Sequence, residues 1–385
     1  MEHKPDIVIV GSGLFGLTVA RQYVEHFPGR VLVLERRNHP GGNSWSTTDV
    51  ETGIEVHHYG THLFHTSNSR VIEFVQRYAD FTDYRHKVFS IARGKVYSLP
   101  FSLLTISQVF GSHFTPMEAR RLIEREIELL GIDKKLSDRS LEDKALSSVG
   151  KTIYELLVKG YTTKQWSTDP ANLPASVISR LPVRFNYNDE YFDDAFQGLP
   201  RMGYGDFISN LADHPRIEIK LGSDYFDSKY CRDGKTLTIY TGPIDKYFEY
   251  SLGRLGWRTL DFDLERVSIP DYQGTAVMNY ADEEIPFTRI HEFQHLHPER
   301  ENSSKKTLIM KEFSRFAEGD DEPYYPINTE SDRLRLEGYR ALAKLEKNVI
   351  FGGRLGSYRY LDMDMAIASA FVAFENEIKP RIKQN

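Results

Sequence analysis

The chain opens on a change of period. Ile7–Val10 (IVIV) is an unbroken apolar run that predicts a short buried strand, and Leu14–His26 then sets Leu17, Ala20 and Val24 at helical spacing. Gly11, Gly13 and Gly16 make the turn between them, and Arg30–Glu35 (RVLVLE) returns to strand. Ser67–Tyr78 predicts an amphipathic helix, and Val88–Leu99 a hairpin turning at Arg93–Gly94. From about Leu99 to Ser179 no strand pattern interrupts a helical block. Within it Thr115 predicts an N-cap, Pro116 a first helical position, Glu118 the other half of a capping box and Gly131 a stop; Ser140 and Asp143 repeat the cap. Beyond Arg180, Arg184–Tyr187, Thr275–Tyr280, Phe287–Phe293 and Thr307–Phe313 alternate and predict an antiparallel sheet, whereas Ile217–Leu221 and Thr236–Tyr240 read as buried strands of the first domain. Asn348–Phe351 leads into GGRLGSY and a last helix, Met363–Glu377. The pattern predicts an α/β fold. A Rossmann-like nucleotide domain is assembled from discontinuous segments (1–81, 203–245 and 348–385), with an inserted helical bundle (98–180) and an antiparallel β-sheet domain (82–97, 181–202 and 246–347).

Composition narrows the picture. A chain of 385 residues suits two or three packed units. A net charge of −6 lacks the basic excess that nucleic-acid binding demands, so an anionic ligand must be held by a few arginines placed locally. Cys231 is the single cysteine, which excludes an intrachain disulfide and fits a reducing, cytoplasmic setting. No run reaches the 18 or so apolar residues of a membrane span, and neither a repeat nor a low-complexity tract is present.

The glycine motif carries the first chemistry. Gly11 permits a tight turn, Gly13 lets backbone approach a pyrophosphate, and Gly16 lets helix and strand pack closely. Glu35, ending the second strand, is placed to accept from a ribose and disfavours a 2′-phosphate. A glycine-rich turn without ligand is the bland alternative, and the strand, helix, strand and terminal acid together argue against it. Arg36, Arg37 and then Gly41-Gly42-Asn43 extend the motif, because two adjacent glycines let a second loop press its backbone on the same pyrophosphate, as an extended FAD needs. So extended, the motif resembles the fingerprint of flavoproteins of the glutathione-reductase-like and amine-oxidase-like class, and the cofactor expected is FAD. No second dinucleotide motif follows: Gly203-Tyr204-Gly205 lacks a third glycine, and Gly352 to Gly356 has the wrong spacing.

The strings YGTHLFHT (59–66), KGYTTKQW (159–166), SRLPVRFNYNDEYF (179–192), PFTRIHEF (286–293), GDDEPYYPIN (319–328) and GGRLGSYRYLDMDMAIA (352–368) resemble the bacterial UDP-galactopyranose mutases, in order and over nearly the whole chain. The resemblance implies an isomerase that interconverts UDP-galactopyranose and UDP-galactofuranose, a precursor of cell-surface glycans, by nucleophilic attack of reduced FAD on the anomeric carbon without net redox change. It implies a homodimer and an external reductant, for which NAD(P)H is a candidate. By resemblance Arg180 and Arg289 bind the diphosphate. Tyr161, Thr162 and Trp166 help form the uridine site, Asn279 adds a nucleotide contact, and Tyr191, Tyr325 and Tyr360 converge on diphosphate and sugar. His86 stands where other members carry a different polar residue near the sugar or nucleotide. Cofactor contacts fall on Gly11, Ser12, Gly13, Phe15, Gly16, Glu35, Arg36, Gly42, Asn43, Thr61, His62, Leu63, Tyr225, Gly353, Arg354, Leu361, Asp362 and Met363. His62 and His65 are placed beside the isoalloxazine, with His65 a catalytic candidate. A metal reading of that pair fails for want of a third ligand. The segment around Asn172–Leu181, between Pro174 and Pro182, is a candidate lid.

The rival is an FAD-dependent oxidase or dehydrogenase of the amine-oxidase-like class, which the N-terminal fingerprint alone fits equally well. Paired arginines and the Trp166 segment favour an anionic nucleotide over an apolar amine. A non-catalytic flavin or nucleotide-sugar sensor is the third reading.

Overall fold

The computed structural model describes residues 4–131, 140–175, 183–301 and 304–384. Its first sheet has five parallel strands in the order Val349–Phe351, Leu237–Tyr240, Ile7–Val10, Val31–Leu34, Ile217–Lys220. The central runs are apolar at every position because both faces are covered. Leu14–His26 packs on one face with Met363–Ala373, around Ile9, Val19, Val33 and Phe374. Tyr225, Tyr240 and Tyr247 fill the other face. Ile217–Lys220 (IEIK) is the half-exposed edge, unlike the buried strand its sequence predicts.

The second sheet has seven strands, in the order Tyr325–Pro326, Trp257–Val267, Thr307–Phe316, Arg289–Glu292, Val277–Tyr280, Val88–Ala92, Lys95–Leu99. It is antiparallel except where Val88–Ala92 lies parallel to Val277–Tyr280, a pairing that needs a long crossover and receives one through the helical block. The hairpin turns at Arg93 and Gly94, both at positive φ.

In the helical block Pro116–Leu129 starts on the Thr115–Glu118 capping box, and Leu141–Ile153 on the Ser140 side chain. The latter runs through a π-helical turn, Tyr154–Val158, into Lys159–Trp166. Arg184–Tyr187 is a bend rather than a strand. The buried Arg184 guanidinium organises its own loop by donating to the Asn188 and Glu190 carbonyls and to Asp193. Trp257–Val267, an 11-residue strand, and the helix Glu330–Ala343, capped by Thr329 and Asp332, have no counterpart in the sequence reading. The helix expected over Ser67–Tyr78 is shorter, Ser69–Val75, because the Asn68 side chain accepts from the Arg70 and Val71 amides and starts it there. Met363–Ala373 continues through a π-helical turn to Gln384.

Candidate active site

The glycines meet at the carboxyl ends of the parallel strands. Gly11 has φ 97°, and a Cβ there would lie 2.2 Å from Thr241 Oγ1; one at Gly16 would lie 2.1 Å from the Gly11 carbonyl oxygen. At Gly13 nothing stands within 4 Å, so this backbone is open to a ligand. Gly13 also begins the helix without a side-chain cap, so helix dipole and amides face the same opening. The second loop lies on the first: the Gly41 amide donates to the Ser12 carbonyl (3.0 Å), and Gly42 (φ 59°) crosses Gly13. Glu35 accepts from the Ser12 amide (2.8 Å) and hydroxyl (2.6 Å) through one oxygen and from the Arg37 amide (2.9 Å) through the other. The second oxygen keeps acceptor capacity for one more donor.

These groups line a cleft of about 480 Å³. Of the cofactor contacts expected from sequence, Gly11, Gly13, Phe15, Gly16, Glu35, Arg36, Gly42, Asn43, His62, Tyr225, Gly353, Arg354, Leu361, Asp362 and Met363 are on its wall. Ser12 sits behind Glu35, Leu63 packs toward the core, and the Thr61 hydroxyl meets His291 Nδ1 at 2.7 Å. His62 donates from Nδ1 to the Gly60 carbonyl (2.7 Å), and burial first, with Arg354 nearby, pulls its pKa down to about 4. The neutral ring therefore keeps Nε2 as an acceptor. His65 turns elsewhere, pairing with Asp194 (2.8 Å) and stacking on Phe192 at 3.7 Å. Glu322 crosses the cleft mouth and binds both Arg36 (2.6 Å) and Arg37 (2.9 Å), which lie beyond the second strand in sequence but are joined to the glycine turn through Glu35 and Asn43.

A second group gathers on the seven-stranded sheet. Ser90, Asn279, Arg289, Glu312 and Phe262 are direct cross-strand partners and share one face. Glu312, 2% exposed, is hydrogen-bonded to His291 Nε2 (3.1 Å) and the Thr288 hydroxyl (3.3 Å) and forms an ion pair with Arg289, whose Nε lies 3.3 Å away. Burial raises its pKa, but Arg289 and His291 outweigh that and hold the carboxyl down to about 2. Burial opposes the charge on Arg289, yet Glu312 and the neighbouring phenols keep its pKa above the ordinary value. Arg289 also donates to the Tyr161 hydroxyl, whose own pKa burial pushes to about 12. Asn279 Oδ1 is buried without a hydrogen-bond partner, the state expected of an acceptor waiting for a ligand donor.

Around this row stand the other expected residues. Tyr325 stacks on Tyr360 at 5.6 Å, and Arg354 lies 4.8 Å over Tyr360, joining the group to the cleft. His86 is 4% exposed, edge-on to Tyr191 at 5.7 Å and within hydrogen-bond reach of Tyr84 (3.2 Å); burial, then Arg289, lowers its pKa to about 3. Thr162 is buried and Trp166 partly buried on the helix that carries Tyr161. Arg180 and the candidate lid from 176 to Leu181, with Pro182, lie outside the described residues. No sequence motif marks Glu312, His291 or Glu322 as members of the site. Glu312 follows Lys311 directly in its strand, so in sequence it reads as half of a charged pair rather than as a buried acid.

A family model described as UDP-galactopyranose mutase matches residues 156–360, and one for an NAD(P)-binding Rossmann-like domain matches residues 9–78. The chain is 44% identical to a probable UDP-galactopyranose mutase of Klebsiella pneumoniae, over 96% of this chain and 93% of that one. The chain belongs to the UDP-galactopyranose mutase family. It is also 40% identical to a dTDP-fucopyranose mutase of Escherichia coli, over 97% of this chain and 98% of the relative. Its fold matches a reduced UDP-galactopyranose mutase structure with TM-score 0.72 at 15% identity, covering 98% and 94% of the two chains. A putative protoporphyrinogen oxidase from Exiguobacterium shares the fold more distantly, with TM-score 0.65 at 13% identity, over 97% and 98%. Among the described residues no helix is long and apolar enough to cross a membrane.

Proposed function

We propose that the protein is a flavin-dependent isomerase that interconverts UDP-galactopyranose and UDP-galactofuranose, with FAD, active when reduced, held in the 480 Å³ cleft. The observation that carries this reading is the row of Asn279, Arg289 and Glu312: an unpaired buried acceptor beside a cation braced by a buried carboxylate. The open face of Gly13 under the Gly41–Gly42 loop suits the pyrophosphate of an extended dinucleotide, and Glu35 suits its ribose. Bound and reduced, the cofactor supplies the nucleophile for the anomeric carbon.

The chain's own share is binding and charge. Arg289, with Arg180 as its partner, takes the diphosphate and stabilises it as it leaves the sugar. Glu312 keeps Arg289 charged and aimed. Tyr161 and Tyr325, whose phenols burial keeps protonated, donate to phosphate oxygens. Trp166 stacks on uracil, a contact worth about 1–3 kcal/mol per base, and Asn279 receives an N–H or O–H of the nucleotide. Neutral His62 offers Nε2 as a hydrogen-bond acceptor near the flavin, while His65, tied to Asp194, supports that loop. In this reading the parallel sheet carries the cofactor, and the helical block with the seven-stranded sheet carries the nucleotide sugar. The reductant is external and the protein acts as a homodimer.

The test is incubation with UDP-galactofuranose, with and without dithionite. Conversion to UDP-galactopyranose only after reduction is the expected result; substrate-dependent flavin reduction in its place would make the protein an oxidoreductase. The relative acting on dTDP-fucopyranose supports a second substrate reading, so dTDP-fucofuranose belongs in the same assay, and a higher kcat/KM for it would reassign the sugar.

A further inference from the structure

Lys164 has no place in the chemistry above, yet its surroundings are unusually regular. Its Nζ donates to four backbone carbonyls of the turn between Val277–Tyr280 and Arg289–Glu292: Tyr280 (2.7 Å), Asp282 (2.8 Å), Ile285 (3.0 Å) and Phe287 (3.1 Å). An ammonium has three protons, so all are used and one is shared. One helical turn earlier, at Gly160, a Cβ would lie 2.2 Å from the Ala281 carbonyl oxygen. Gly160 and Lys164 thus form one stripe on the helix: the first lets it press on the turn, the second binds the turn's carbonyls. The same helix carries Tyr161 and Trp166, and the strands that enter and leave the turn carry Asn279 and Arg289.

We propose that Lys164 is a positioning residue that fixes the helix bearing Tyr161 and Trp166 against the hairpin bearing Asn279 and Arg289, and so sets the span of the nucleotide diphosphate site. The inference rests on the site assignment made under Proposed function. The Asp282 carbonyl also accepts from the Ile285 amide (3.3 Å), and a long cationic stem reaches all four carbonyls from one helix position. Asp282, Glu283 and Glu284 on the turn favour the charge; burial opposes it and brings the pKa down to about 8. Nearby anchors act in the same sense but elsewhere on the helix: the Ser314 hydroxyl donates to the Gln165 carbonyl (2.6 Å), and Arg258 to the Ser167 hydroxyl (2.8 Å).

The test measures UDP affinity of the flavin-loaded protein by calorimetry, alongside flavin content. Lys164→Met is expected to weaken UDP about tenfold or more with flavin content unchanged, and Lys164→Arg, which keeps a cation and its donors, to recover most of that loss. Because Lys164 acts in part through Asn279, Lys164→Met combined with Asn279→Ala is expected to lose clearly less than the product of the two single losses. A loss under twofold in Lys164→Met, no recovery in Lys164→Arg, or a double variant showing the full product of both losses would each overturn the proposal. Should Lys164→Met purify without flavin, Lys164→Gln, which keeps two donors, is read in its place, and a loss under twofold overturns the proposal equally. Failure of the unsubstituted holoprotein to bind UDP would instead strike the site assignment, and this inference with it.

Discussion

In the proposed mechanism a guanidinium that receives a leaving diphosphate has to stay charged and aimed in a partly dry site, and for Arg289 one carboxylate, Glu312, serves both ends. Arg289→Ala removes the charge where it develops and is expected to lower kcat/KM by about 100-fold or more; near-normal turnover by the reduced variant would remove this arginine from the mechanism. Arg289 was legible in the sequence only because its string resembles a known family. Glu312 was not legible, because its meaning depends on register: it sits directly across from Arg289 on a strand 20-odd positions away, and no spacing rule reports which residues face each other across a sheet. His65 shows the opposite case, a residue the resemblance places at the flavin and the structure ties to Asp194.

Among the elements, the strand, helix, strand unit with its glycines was fully legible, since a buried parallel strand and an amphipathic helix leave periodic signals and the turn needs glycine at a positive φ. Trp257–Val267 escaped because its second half is exposed and charged, so alternation there carries little apolar contrast. The two glycines of the motif make separable predictions. Gly13→Val adds bulk into open space on the cofactor side and is expected to abolish flavin retention, read by absorbance after gel filtration, while far-ultraviolet circular dichroism stays unchanged. Gly16→Val drives its Cβ into the Gly11 carbonyl and is expected to unfold the domain. Retained flavin in a folded Gly13→Val protein would contradict the placement of the pyrophosphate.

At the scale of the molecule, several imidazoles are buried neutral. His57 and His86 have pKa values brought down to about 3, and His62 to about 4, each mainly by burial, from an ordinary value of 6.5. A lowered histidine pKa means that the unfolded chain binds the extra proton first, so stability is full above pH 6.5 and falls as pH drops toward 4. Each such histidine costs about 2 kcal/mol of stability by pH 5. The melting temperature is therefore expected to drop by several degrees between pH 7 and pH 5 at constant ionic strength; a flat profile would show that these rings are solvated.

The parallel sheet has one more consequence, which concerns the order of synthesis. Its central strand, Ile7–Val10, leaves the ribosome first, but the neighbour Leu237–Tyr240 follows some 230 residues later, and Val349–Phe351 with the wall residues Gly353 to Met363 more than a hundred residues after that. The glycine turn proposed to hold the pyrophosphate is thus made early and has no finished cleft around it until residues 349–374 have been translated. The nascent chain must keep an apolar half-sheet covered for most of its elongation, and cofactor capture is a late event, coupled to closure of the sheet rather than to formation of the motif that announces it.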